Sequence, residues 1–141
     1  MTTPLDSAIF GPLFSDAEIS VLLTDEAFVR ALVDVEKALA RAEARVGVIA
    51  ANCAEAIGKT SADKIDLTAL TKGTASSGFP IIALVQELRK QVSAEAAPFI
   101  HWGATTQDIM DTACVLQLRS AVNLIRIRLG EIARHPFVVF S

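Results

Sequence analysis

The chain has 141 residues, about one domain's worth. Hydrophobic residues make up 52% and charged residues 21%, which excludes a disordered chain. Aromatics are 6% with no tyrosine, so the apolar content is aliphatic and suits helix packing, and a net charge of −3 gives no basic footprint for nucleic acid or an anionic membrane.

The first dozen residues carry Pro4, Gly11 and Pro12 and read as an extended arm. Ser15 followed by Glu18 forms a capping-box pattern and predicts a short helix from Asp16 to about Leu23. Thr24 then looks like a fresh N-cap, with Asp25 and Glu26 in the first turn. From there Phe28, Leu32, Val35, Leu39, Ala42 and Val46 recur at steps of three and four, one apolar stripe on a long helix. Charged residues, Glu36 and Glu43 among them, take the rest of its surface, and Gly47 is the expected stop. Asn52 with Glu55 suggests a small capped turn ending near Gly58.

Asp66 is the next expected cap, leading through Leu67, Leu70 and Thr71. Gly73–Gly78 is the most loop-like stretch, and Pro80 suits the start of a helix whose buried face is Ile81, Leu84, Val85, Leu88 and Val92. Pro98 ends that structure, and 99–107 reads as a loop. The last helix, Asp108 to about Arg134, is about 40 Å long at 1.5 Å per residue. Val115, Leu118, Val122, Ile125, Leu129 and Ile132 follow a heptad rhythm along it, and Pro136 stops it.

Cys53 and Cys114 lie far apart, with no Cys/His metal pattern and no leader-like start, which points to a reduced, cytoplasmic setting. No apolar run approaches a membrane span. Mean hydropathy of +0.44 is high and hints at surface buried between subunits.

Reactive groups concentrate in one stretch, His101 to Asp108, followed by Asp111 and Thr112. Gly103 permits a tight turn. Thr105, Thr106 and Gln107 then sit at the mouth of a long helix, where hydroxyls and free N–H groups together suit a carboxylate or phosphate. A threonine there is equally an ordinary cap. His101 reads either as a proton carrier or as a hydrogen-bonded brace. Trp102 reads as core. Ser76 and Ser77 could hold an anion ahead of Pro80, though a plain helix–helix turn accounts for them as well.

His101-Trp102-Gly103-Ala104-Thr105-Thr106-Gln107-Asp108, with Asp111-Thr112-Ala113, resembles the first signature region of the fumarase/aspartase/adenylosuccinate lyase superfamily. Met110-Asp111-Thr112 and Val115-Leu116-Gln117-Leu118-Arg119 are similar to its cycloisomerase branch. So are Phe14-Ser15-Asp16, the stretch Val35 to Glu43, and Ser76-Ser77-Gly78-Phe79-Pro80. The likeness covers residues 5–134.

The resemblance implies an all-α fold. Residues 1–107 would be an N-terminal helical domain ending in the signature loop, and 108–134 the first long helix of a central bundle. Residues 135–141 form a tail unlike the family. It implies a homotetramer whose active sites draw signature regions from three subunits. The substrate would be a small di- or tricarboxylate, with no metal or other cofactor and no nucleic-acid or membrane partner. In the cycloisomerase branch the reaction is lactonisation of a carboxymuconate to 4-carboxymuconolactone through an enolate-like intermediate. That step belongs to aromatic (protocatechuate) degradation by the beta-ketoadipate pathway.

Carried onto this sequence, the resemblance gives carboxylate binding to Thr105 and Thr106, with Gln107 adjacent and Ser76 and Ser77 nearby, and an accessory role to His101. The family's later signature regions, including its catalytic serine loop, do not occur in these residues. The expectation is therefore an N-terminal part that is inactive alone, with no catalytic residue of its own. The alternatives are a fragment of an adenylosuccinate- or argininosuccinate-type lyase, or a helical assembly domain without catalysis.

Overall fold

The computed structural model describes residues 7–134; the start of the expected arm and the tail after Arg134 lie outside the described residues. Among the described residues there are seven α-helices and no strand. They are α1 (Gly11–Phe14), α2 (Ala17–Leu22), α3 (Asp25–Arg45), α4 (Ala51–Gly58), α5 (Leu67–Ser77), α6 (Ile81–Arg89) and α7 (Thr106–Arg134). The all-α expectation is met.

Local chemistry explains most boundaries. The expected arm is helical at Gly11–Phe14, because Pro12 lies in the first turn with φ already set for a helix. The Ser15–Glu18 box does not form. Asp16 caps α2 instead, accepting from the Ile19 amide at 3.0 Å, while the Ser15 hydroxyl turns back to the Gly11 carbonyl. A carboxylate is the stronger acceptor, and Asp16 is also paired with Arg128 of α7. Thr24 caps α3 as expected, accepting from the Ala27 amide at 3.2 Å. Gly47 follows that helix at φ +77°.

Asn52 caps nothing. Helix α4 already begins at Ala51, so the Asn52 amide reaches Glu95, and Glu55 pairs with Lys59. Asp66 caps α5 through the Thr68 amide at 2.8 Å. The expected loop over 73–78 is helical as far as Ser77, and only Gly78, at φ +80°, leaves the helix. Gly73 is there for contact rather than for bending: a Cβ on it would lie 2.5 Å from the Ala83 Cβ of α6. Pro98 sits inside a 3-10 turn, Ala97–Phe99, instead of ending structure.

The core lies between α3, α4, α6 and the first half of α7. Leu32, Val33, Ile57, Ile81, Leu84, Leu88, Ile100 and Ile109 are at most 2% exposed. Each such side chain contributes about 1.5–3 kcal/mol by burial. On α3 the buried residues are Val29, Leu32, Val33, Val35, Glu36, Ala40 and Glu43, so Leu32 and Val35 of the expected stripe are inward while Ala42 and Val46 face solvent. On α7 the inward residues are Ile109, Ala113 and Ala121. The heptad row from Val115 to Ile132 points outward along its whole length, each member 42–61% exposed. Small alanines let α7 lie close to α3, and this rotates the larger aliphatics away. No helix among the described residues is long and apolar enough to cross a membrane.

Candidate functional site

The loop 100–105 is held from beneath by α3 and runs into the N-terminus of α7. Ile100 anchors it in the core. Trp102, expected in the core, is instead half exposed and packs edge-on against Phe99, with ring centroids 5.9 Å apart. His101 takes φ +63°, the only non-glycine among the described residues with positive φ, and Gly103 follows at +68°. A left-handed non-glycine residue persists only where its surroundings impose it.

Thr105 and Asp108 form a reciprocal cap. The Thr105 amide and hydroxyl both donate to Asp108 Oδ2 at 2.8 Å, and the Asp108 amide donates to Thr105 Oγ1 at 3.2 Å. These bonds hold the Asp108 carboxyl below the ordinary aspartate range. The Thr105 hydroxyl is thus committed to starting the helix. Thr106 is the first helical residue and half buried, and its hydroxyl has no hydrogen-bond partner among the described residues. Gln107 donates one amide hydrogen to Asp111 at 3.3 Å.

Thr106 stands on the ridge between two openings. One, of about 680 Å³, is bounded by Phe79, Thr105, Thr106, Gln107, Met110 and Asp111. The other, of about 250 Å³, has Val85, Gln86, Arg89, His101 and Thr106 in its wall. Another groove, of about 640 Å³, shares Met110 but is walled mainly by Phe28, Val29, Leu67, Leu70 and Pro80, a poor setting for charge. Ser76 and Ser77 do not join this group. Both lie on α5; Ser76 is exposed, and the Ser77 hydroxyl bonds the Gly73 and Phe79 carbonyls at its end. The helix continues through them, so neither is a loop hydroxyl ahead of α6.

Two glutamates that sequence reasoning placed on the surface belong to the site. Glu36 is 2% exposed and Glu43 is 8% exposed. Glu36 Oε1 lies 2.7 Å from His101 Nδ1. Glu43 Oε1 lies 3.7 Å from where a Cβ on Gly103 would be. The second carboxylate oxygen of each is buried without a hydrogen-bond partner. Burial pushes the Glu36 carboxyl up, against the opposing pull of His101. Glu43 is also pushed up, first by burial and then by Glu36. His101 and Glu36 thus form a paired imidazole and carboxylate next to the signature loop. A signal was available, because positions 29, 32, 33, 36, 40 and 43 form a 3.6-residue stripe with two carboxylates inside it. Among the described residues no cluster of three or more His, Cys, Asp or Glu could hold a metal ion.

The helical frame is similar to that of helical enzymes of the fumarase/lyase superfamily. Within it, the chain is similar to 3-carboxy-cis,cis-muconate cycloisomerases. It is 41% identical to that enzyme of Acinetobacter baylyi over 126 residues, which are 85% of this chain and 28% of the relative. The crystal structure of 3-carboxy-cis,cis-muconate lactonizing enzyme from Pseudomonas putida matches with a TM-score of 0.84 and 37% identity, over 90% of this chain and 30% of that one. Nitrosuccinate lyase of Streptomyces davaonensis is 35% identical over 92% of this chain and 28% of its own length. No family model matches. The chain therefore spans less than a third of the length of the relatives it matches.

Proposed function

We propose that this chain is the N-terminal, carboxylate-binding part of a cycloisomerase-like enzyme acting on a 3-carboxymuconate. The whole enzyme would be a cytoplasmic homotetramer of aromatic degradation in the beta-ketoadipate pathway. The observation that carries the reading is the free Thr106 hydroxyl at the start of a 29-residue helix, opening onto a cavity of about 680 Å³ that has room for a small dicarboxylate. Unpaired N–H groups there favour an anion. Thr105 orders the helix start, and Gln107 lines the same cavity. Phe79 and Met110 give that cavity an apolar wall for the carbon framework. The similarity to muconate cycloisomerases supports the substrate class.

Titration of the isotope-labelled chain with cis,cis-muconate tests this. Amide signals of Thr106 and Gln107 should move, and Thr106→Val should abolish the response while changing stability by no more than about 1 kcal/mol, the usual scale of a helix-start hydroxyl. Silent amides at the start of α7 would refute the site. The similarity to nitrosuccinate lyase supports a second reading, a succinyl-type lyase part. Succinate displacing muconate at equal concentration would favour it. The purified chain alone should not turn over carboxymuconate above the buffer rate.

A further inference from the structure

We infer that Glu36 is a positioning residue that holds the His101 proton on Nδ1 and leaves Nε2 bare toward the 250 Å³ cleft, where it takes up a proton when a substrate carboxylate enters. The inference rests on the carboxylate reading of this loop and adds a second contact point to it. Three observations converge. His101 Nδ1 meets Glu36 Oε1 at 2.7 Å, and the Glu36 side chain is 1% exposed. His101 pulls Glu36 toward its ionised form, which only accepts, and in that form the shared hydrogen belongs to Nδ1. His101 lines the cleft beside Gln86, Arg89 and Thr106, its side chain is 19% exposed, and Nε2 is the remaining polar atom of its ring.

A purely structural brace would be a costly design. Burying a carboxylate with one oxygen unpaired and setting a histidine at positive φ both work against folding. Such costs collect where a side chain must be aimed. The charged groups around the imidazole are Glu36 and Glu43 from α3, Arg89 from α6 and Asp108 from α7. Arg89 uses its Nε on the Ala97 carbonyl at 3.1 Å, leaving its terminal NH₂ groups to meet the same anion. On binding, Nε2 gains one proton from solvent. The imidazolium then donates to the carboxylate on one side and to Glu36 on the other.

Ring ¹⁵N spectra of the labelled chain test this directly, because the sequence holds only two histidines, His101 and His135. Neutral His101 should carry its proton on Nδ1. Glu36→Leu should move it to Nε2, and Glu36→Gln, which keeps an acceptor oxygen, should restore Nδ1. Adding cis,cis-muconate should protonate Nε2 in the wild type. Muconate should bind about tenfold more weakly to Glu36→Leu, the scale of a hydrogen bond to a charged group. A wild-type proton on Nε2, or an unchanged tautomer in Glu36→Leu, overturns the inference with no ligand needed. Muconate that moves the Thr106 amide but not His101 also overturns it and leaves the carboxylate site standing. Muconate that moves neither removes the site reading and this inference with it.

Discussion

The two halves of α7 live in different environments. The first half buries Ile109 and Ala113 against the core, and its start is fastened by the Thr105–Asp108 cap. The second half has one buried residue, Ala121, and touches the rest of the chain through polar links. Arg128 pairs with Asp16 and Glu18, while Gln117, just before the midpoint, donates to the Leu22 carbonyl at 3.0 Å. Its large aliphatics face outward. The same helix is thus a core element at one end and an uncovered seam at the other. Stability and site geometry are set at the first end, and most of the exposed aliphatic row lies on the second.

Substitutions should separate the two ends, and the largest effect belongs to the first. Ile109→Ala should cost about 2–5 kcal/mol, as buried large-to-small changes do, visible as a lower urea midpoint. Leu118→Ala, half exposed on the outward row, should shift that midpoint by no more than about 0.5 kcal/mol. Equal costs at the two positions would mean that the seam is covered. Association should show the reverse order. Sedimentation at micromolar concentration should reveal self-association that Leu129→Lys weakens and Ile109→Ala does not. A sharp monomer unaffected by Leu129→Lys would break the comparison.

Smaller effects sharpen it. Thr105→Ala should cost about 1 kcal/mol as a lost cap and fray the start of α7, read by amide exchange there. Glu43→Gln bears on pH. The folded chain holds the Glu43 carboxyl above the ordinary glutamate range, so its protonated form favours folding. That contribution is present at acid pH and is lost as pH rises through the folded value. Glu43→Gln should therefore flatten the fall in stability above the ordinary glutamate range. It should leave the chain at least as stable as the wild type at neutral pH. Arg128→Ala should leave the urea midpoint unchanged while raising amide exchange in α2.

Which features were legible follows from how local their causes are. Thr24, Gly47 and Asp66 act on their own neighbours, and their roles were readable. The signature loop was readable as a motif, because its hydroxyls and glycine lie together in sequence. The Gly73–Ser77 stretch misled because its glycine answers to Ala83 of another helix, a contact no local rule contains. The outward turn of α7 was half legible: the aliphatic row was plain, but the alanines that choose the inward face carry little hydrophobic signal. Glu36 was lost because charge was read as surface, although its position on the stripe said otherwise.

Gly73 has a bearing on the cleft that its own helix does not reveal. Ala83, the neighbour it admits, shares α6 with Val85, Gln86 and Arg89, which wall the cleft beside His101. One added carbon on α5 would push on α6 as a rod, and the displacement would be felt on another face of that rod. The aperture next to the imidazole is in this sense gauged from behind, by an atom the sequence leaves out.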